Sequence, residues 1–499
     1  MASPTLVWFR DDLRVADHPA LHNAVERGEP IVCVYVFDEV SDGIRPLGGA
    51  TRWWLHHSLE ALAGELDARG LTLTLRSGRA ADVIAELQAE TSAGAVYWNR
   101  RYGLAEREID TGIKAELAAQ GVEARSFHAN VLFEPWTLQT GQGQPYRVFT
   151  PFWRACLSAP APRKPLPAPS RETVQRLGSA GAGGDGALTN GSDTQPTRAR
   201  APHPTTENLD DWHLLPTHPD WAGGLREAWV PGEKAAHAQL QRFVKNDLTD
   251  YLDDRDLPAR DATSRMSPRL RFGEISPFQL WHATEHSAPG AAGFLREVGW
   301  REFAYHLLYH FPSITTENMR PAFNAFPWAK PTDEVLQRWQ RGHTGIPLVD
   351  AGMRELWQTG VMHNRIRMVA ASFLVKNLLL DWRIGEAWFW DTLVDADPAS
   401  NSMNWQWVAG SGVDAAPYFR VFNPALQAKK FDPEGEYINA YVPEAGTPST
   451  PSRWSTSANR ASAPSRPTTS FAVPDHGVGG PTRATAEHPR FWRASPRGH

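Results

Sequence analysis

Near residue 230 the hydrophobic period of this chain changes, and that change limits its possible folds more than any other feature. Over the first 130 residues, short apolar runs alternate with amphipathic stretches. Leu6 to Phe9, Ile31 to Phe37, Leu71 to Leu75 and Ala95 to Trp98 read as strands. Pro19 to Glu26, Thr51 to Arg69, Ala80 to Ala89 and Glu106 to Gln120 read as helices between them. Strands separated by helices predict a doubly wound parallel sheet with helices on both faces. No Gly-x-Gly-x-x-Gly follows the first strand, so the sheet need not hold a dinucleotide. From Glu233 to Tyr441 the period is helical almost throughout, with turns at Gly and Pro, which predicts a large all-α domain.

These limits divide the chain into an α/β domain over 1–135, an interdomain linker over 136–230, a helical domain over 231–443 and a tail over 444–499. Ala159 to Asn208 is rich in Pro, Gly, Ser, Thr and Ala, too poor in apolar surface to offset ordering, so the linker is expected to be partly disordered. The tail, dominated by Ser, Thr, Pro, Arg and Gly, is expected to be disordered as well.

Composition excludes several classes. The net charge of −5 does not advertise a nucleic-acid binder, although five Arg between Arg255 and Arg271 could form a local basic face. The 2 cysteines, Cys33 and Cys156, provide neither a disulfide framework nor a metal cluster. Arg10, Asp11, Asp12 and Arg14 interrupt the first apolar run, and no 18-residue apolar span follows, so a cytoplasmic protein without membrane contact is expected. Tryptophan is the outlier, with 21 residues. Core packing explains most of them; an excess is available for stacking or electron transfer.

Four polar pieces interrupt the helical half. Asp395 to Trp407 holds Asp395, Asp397, Asn401, Trp405 and Trp407, a set suited to a flat redox cofactor and equally to a polar loop anchored by indoles. Tyr251, Arg255 and Thr263, Ser264, Arg265, Met266 and Ser267 form a second piece, where hydroxyls at a helix opening can hold phosphate or simply cap. Glu297, Trp300, Arg301 and Glu302 form a third, in which Glu297 and Arg301 have the spacing of a surface ion pair. In the fourth, Met362 to Met368, Asn364 and Met368 share a helix face, and His363 reads as structural.

The order and spacing of these pieces, with Leu6 to His18 at the start, resemble the photolyase and cryptochrome flavoprotein family, closest to class I cyclobutane pyrimidine dimer photolyases. The resemblance runs to about Pro443. It implies non-covalent FAD in the helical domain, contacted by Tyr251, Thr263 to Ser267, Phe294, Arg367, Asp395, Asp397 and Asn401, with Asn401 facing flavin N5. It implies an inward electron path through Trp339, Trp382 and Trp405 that leaves the hole nearer solvent. It also implies UV-damaged DNA as partner, with Arg255, Glu297, Trp300, Arg301, Asn364, Arg365, Met368, Trp407 and Gln427 at the lesion and the DNA. The implied reaction is a light-driven carbon–carbon lyase reaction, catalysed by a monomer.

A (6-4) photolyase would need a His pair where Asn364 and Met368 stand, for proton transfer to the lesion. A cryptochrome-type blue-light receptor without repair is the alternative; the complete lesion set favours repair. The resemblance further implies an antenna at Glu106, methenyltetrahydrofolate by expectation, with 8-hydroxy-5-deazaflavin or none as alternatives. The tail departs from the family pattern, with only Val473 to His476 echoing the usual end.

Overall fold

The computed structural model describes residues 3–177, 204–284, 286, 288–415 and 420–446. Five parallel strands, β1 (Thr5–Phe9), β2 (Ile31–Phe37), β3 (Leu73–Ser77), β4 (Ala95–Asn99) and β5 (Glu123–Phe127), form one sheet in the order β3-β2-β1-β4-β5. The helices α1 (Pro19–Arg27), α2 (Gly49–Asp67), α3 (Ala80–Thr91) and α4 (Leu104–Ala119) make the crossovers. Alternation along β1 feeds two cores: Val7 and Phe9 face a cluster with Trp53 and Trp54 of α2, while Leu6 and Trp8 face Ile84, Trp98 and Ile113. The sheet is thus covered on both faces, as expected. The strand β5 has no apolar run; its register on β4, Ala95 opposite Glu123 through Asn99 opposite Phe127, makes it an edge strand.

The rest of the chain is helical: α5 (Phe149–Ser158), α6 (Arg171–Leu177), α7 (Gly223–Ala228), α8 (Glu233–Asn246), α9 (Tyr251–Asp254), α10 (Ser267–Arg271), α11 (Pro277–Ala283), α12 (Ala291–His310), α13 (Asp333–Gln340), α14 (Pro347–Thr359), α15 (Asn364–Ser372), α16 (Trp382–Thr392), α17 (Pro398–Ala409), α18 (Pro424–Phe431) and α19 (Glu436–Tyr441). Residues 136–230 are not merely a linker. Helix α5 buries Phe149, Phe152 and Cys156 against Phe303 and Leu307 of α12. Trp212, Leu214, Leu225 and Trp229 join the core over one face of the sheet. The apolar residues at both ends of the stretch suffice to offset ordering. Residues 178–203, and the tail from 447 with its echo at Val473 to His476, lie outside the described residues.

The two halves meet along a polar, buried seam. The loop after β1 enters it: Asp12, Arg14 and Asp17 are fully buried. Arg14 donates to the Gly273 carbonyl at 2.9 Å, and Glu233 accepts from the Val15 and Ala16 N–H groups at 2.7 and 2.9 Å. Gly273 has φ +64, and a Cβ there would lie 2.2 Å from the Asp11 carbonyl oxygen, so only glycine lets the backbones approach. Next to it, the fully buried Glu274 accepts from Trp54 Nε1 at 3.0 Å, Ser58 Oγ at 2.5 Å, Gly232 N at 2.6 Å and Arg269 at 2.7 Å. Four donors from both halves satisfy one carboxylate.

Candidate functional site

Helices α15, α16 and α17 bring the polar pieces together. Asp397 caps α17: Oδ1 accepts from Ala399 N at 3.0 Å and Ser400 N at 2.7 Å, with Pro398 opening the helix. Its Oδ2 accepts from the Tyr305 hydroxyl at 2.6 Å. Both oxygens are therefore engaged by protein groups, which gives Asp397 a capping role in addition to the cofactor contact that the motif implies. Two residues earlier, Asp395 is different. Its Oδ2 pairs with Arg367 at 2.9 Å, and Arg367 Nε donates to the Met362 carbonyl at 2.7 Å. Asp395 Oδ1 is buried and has no hydrogen-bond partner among the described residues. An orphaned carboxylate oxygen in a low-dielectric setting is costly unless a donor arrives.

One turn into α17, Asn401 donates from Nδ2 to the Glu386 carbonyl at 3.1 Å and to Glu386 Oε1 at 2.8 Å. Its other amide atom, Oδ1, is left to face away from α16.

On the other side, Tyr251 is buried against Phe243 and Phe294, with ring centroids 5.6 and 5.7 Å away. Burial holds its phenol well above the usual range. Phe294, 3 % exposed, packs edge to face against Tyr251. In the loop before α10, Arg265 has φ 52 and lays its guanidinium 4.4 Å over the Trp229 ring. The carbonyls of Ser264 and Arg265 both accept from Gln239. Met266 is buried, Thr263 and Ser264 are half-buried, and Ser267 is exposed.

Arg255 joins this wall to a second surface. It pairs with Glu297 at 2.6 Å, and its carbonyl lies 3.0 Å from His363 Nε2. The Glu297 to Arg301 pair that the spacing suggests does not form. Arg301 turns the other way, donating to the Asn130 carbonyl at 2.8 Å and lying 3.5 Å from Glu302, so it contributes to the seam. His363 Nδ1 accepts from Arg365 N at 3.2 Å and caps α15, which leaves Nε2 to donate to Arg255. Burial pushes His363 down to about 4, fitting a neutral, structural ring. Beyond it, Asn364 is exposed, with Nδ2 4.0 Å from Met368 Sδ. Arg365 pairs with Asp256 at 2.6 Å. Trp300, half-buried, stacks on Phe149 at 3.7 Å and 8°. Trp407, also half-buried, lies 6.3 Å from Phe422. Gln427 on α18 is half-buried, with Oε1 enclosed and unpartnered among the described residues.

Three indoles line up behind Asn401. Trp405 and Trp339 have ring centroids 6.3 Å apart, and Phe389 lies 4.9 Å from Trp405 and 6.2 Å from Trp339. Trp405 packs on Gly385, where a Cβ would come within 2.1 Å of the indole. Trp382, one turn before Glu386, donates from Nε1 to Asn318 at 2.9 Å. Trp339 and Trp382 are both 0 % exposed. Both therefore sit inside the cluster with Trp405 and do not themselves reach the surface. Trp328, Trp388 and Trp407 are half-buried at the margin of the same cluster.

With this geometry in hand, comparison with known proteins is decisive. The chain is 48% identical over 447 residues to deoxyribodipyrimidine photo-lyase of Agrobacterium fabrum, covering 89% of this chain and 87% of the relative. It belongs to the DNA photolyase family. The family profile described as DNA photolyase matches residues 5–170, and that described as FAD binding domain of DNA photolyase matches residues 294–470. Cryptochrome-2 of Arabidopsis thaliana is more distant, at 35% identity over 89% of this chain and 71% of its own length. Among solved structures, a bacterial class III photolyase from Agrobacterium tumefaciens superposes with a TM-score of 0.81 at 45% identity, covering 93% of this chain and 91% of that one. That structural neighbour is described as class III, whereas the motifs pointed to class I.

The photolyase fold here also contains a cavity of about 100 Å³ between its halves. Residues following β1, β2 and β4 line it, among them Arg10, Asp38 and Arg101, at the point where the sheet order reverses. Such switch points are where open α/β sheets hold ligands. Glu106 lines this cavity, as does Trp390 of α16. Arg45 and Pro398 line it too, so the cavity that holds the expected antenna residue borders the elements that carry Asp395 and Asn401. No helix among the described residues is long and apolar enough to cross a membrane.

Proposed function

We propose that this photolyase repairs cyclobutane pyrimidine dimers in UV-damaged DNA as a class III enzyme, with FAD held between α9 and α17. The observation that carries the reading is the orphaned Asp395 Oδ1 beside the Arg367 pair, next to Asn401, in a chain 48% identical to a photo-lyase. FAD, when bound, supplies the light-excited electron donor that opens the dimer ring and recovers the electron. The residues do the rest. Asp395 and Arg367 hold the ring edge, the backbone from Thr263 to Ser267 holds the phosphates, and Asn401 presents Oδ1 to N5 because Nδ2 is committed to Glu386. Trp405 would pass electrons inward, with Trp382 and Trp339 as the rest of the path. Trp300, Met368 and Trp407 provide apolar walls that exclude water from a flipped lesion. Glu297, aligned by Arg255, faces base edges; Asn364 is exposed for the same purpose.

The interdomain cavity is the site for an antenna pigment, with Glu106 as its acidic contact and methenyltetrahydrofolate as the pigment; 8-hydroxy-5-deazaflavin is the other choice. The protein acts as a monomer.

Illumination of the flavin-loaded, reduced protein with dimer-containing DNA tests the function. Dimers are expected to disappear in near-UV or blue light and to persist in the dark, with repair weakening as salt rises. Persistence of dimers under light in a sample with full flavin content would leave a cryptochrome-type receptor. The absorption of pigment released from that sample identifies the antenna.

A further inference from the structure

Arg45 belongs to the α/β half, in the segment before α2, yet its guanidinium crosses to α16. Its two terminal nitrogens donate to Glu386 Oε1 at 2.8 Å and Oε2 at 3.0 Å, and it lies 4.1 Å over the Trp390 ring. The Glu386 side chain is only 5 % exposed, and the same Oε1 accepts from Asn401 Nδ2 at 2.8 Å. The other carboxylate on that rim, Glu39, is held by Arg52 and does not compete for Arg45.

The bidentate guanidinium fixes the orientation of the Glu386 carboxylate. A carboxylate only accepts, so an amide beside it must offer its NH2 group and turn its oxygen the other way. The two ends of that amide are opposite in effect at a flavin. An oxygen accepts from a nitrogen that bears a proton; an NH2 group donates to one that does not. A charge on the α/β half thereby reinforces the Glu386 carbonyl, which accepts from the same Nδ2 at 3.1 Å, in selecting which end of Asn401 is presented. We infer that Arg45 is a positioning residue that acts through Glu386 to fix the Asn401 amide and so favours the reduced, N5-protonated flavin. The inference rests on the reading that Asn401 faces the flavin.

The test is the rate of dark reoxidation in air of the photoreduced holoprotein, followed by flavin absorbance, with flavin content measured on each sample. Arg45→Met is expected to reoxidise about tenfold faster, the consequence of losing one charge-assisted hydrogen-bond preference. Arg45→Lys, which keeps the charge without the fork, falls between. In a Glu386→Gln background the Arg45→Met change is silent, since the relay is already broken. Parental rates in Arg45→Met with full flavin overturn the proposal, as does an equal acceleration in the Glu386→Gln background, which would mark a structural role. If Arg45→Met does not hold flavin, parental rates in Arg45→Lys overturn it. Asn401→Ala separates the two readings: an unchanged rate there defeats the flavin-facing assignment itself.

Discussion

Asp397 has a structural task alongside the cofactor contact that its motif context implies. Its oxygens accept from the Ala399 and Ser400 N–H groups and from Tyr305. Asp397→Ala removes a cap and leaves a buried phenol without its acceptor, at an expected cost of about 2–4 kcal/mol in urea unfolding. A loss below about 0.5 kcal/mol would mean that the cap adds little. The Arg367 to Asp395 ion pair was legible through the family resemblance. The partner of Glu297 was not, because tertiary placement decided it. Glu297 found Arg255, 42 positions away, and released Arg301 to the seam.

Among elements, long periodic stretches were legible and irregular ones were not. The strand β5 was missed because its alternation is polar on both sides at a sheet edge. Helix α5 was missed because Pro and Ala nearby diluted its short apolar face, which buries only Phe149, Phe152 and Cys156. Helix α12 holds a further consequence in Glu302. Its Oε2 accepts from Leu132 N at 2.6 Å and Phe133 N at 3.2 Å, while burial pushes the carboxyl up from 4.5 to about 7. The folded state therefore binds more protons than the unfolded state between those values, and this contribution to stability is lost as pH rises through 7. Glu302→Gln lacks that slope. The stability of the parent relative to the variant is expected to fall by on the order of 2–3 kcal/mol from acidic to mildly alkaline pH. His306 and His363, both pushed down to about 4 by burial, slope the other way but equally in both proteins. A pH-independent difference in denaturant midpoints would refute the assignment.

For the whole molecule, the fold class was legible from the change in hydrophobic period, but the way the halves join was not. The seam is built from single polar groups far apart in sequence, which no window of local pattern can detect. Glu274 is its centre, and Glu274→Ala is expected to cost about 3–5 kcal/mol by stranding Arg269 and three other donors. Differential scanning calorimetry should show a lower melting temperature; an unchanged one would mean the seam adds little. The burial of Arg14 has a temporal side too. Its carbonyl partner Gly273 lies 259 residues downstream. At ~5–20 residues per second, a ribosome takes roughly 13–50 s to supply it. The nascent α/β half must wait that long with a charged, unfilled socket, and its interval of exposure to chaperones and proteases is set by the distance along the chain to a single glycine.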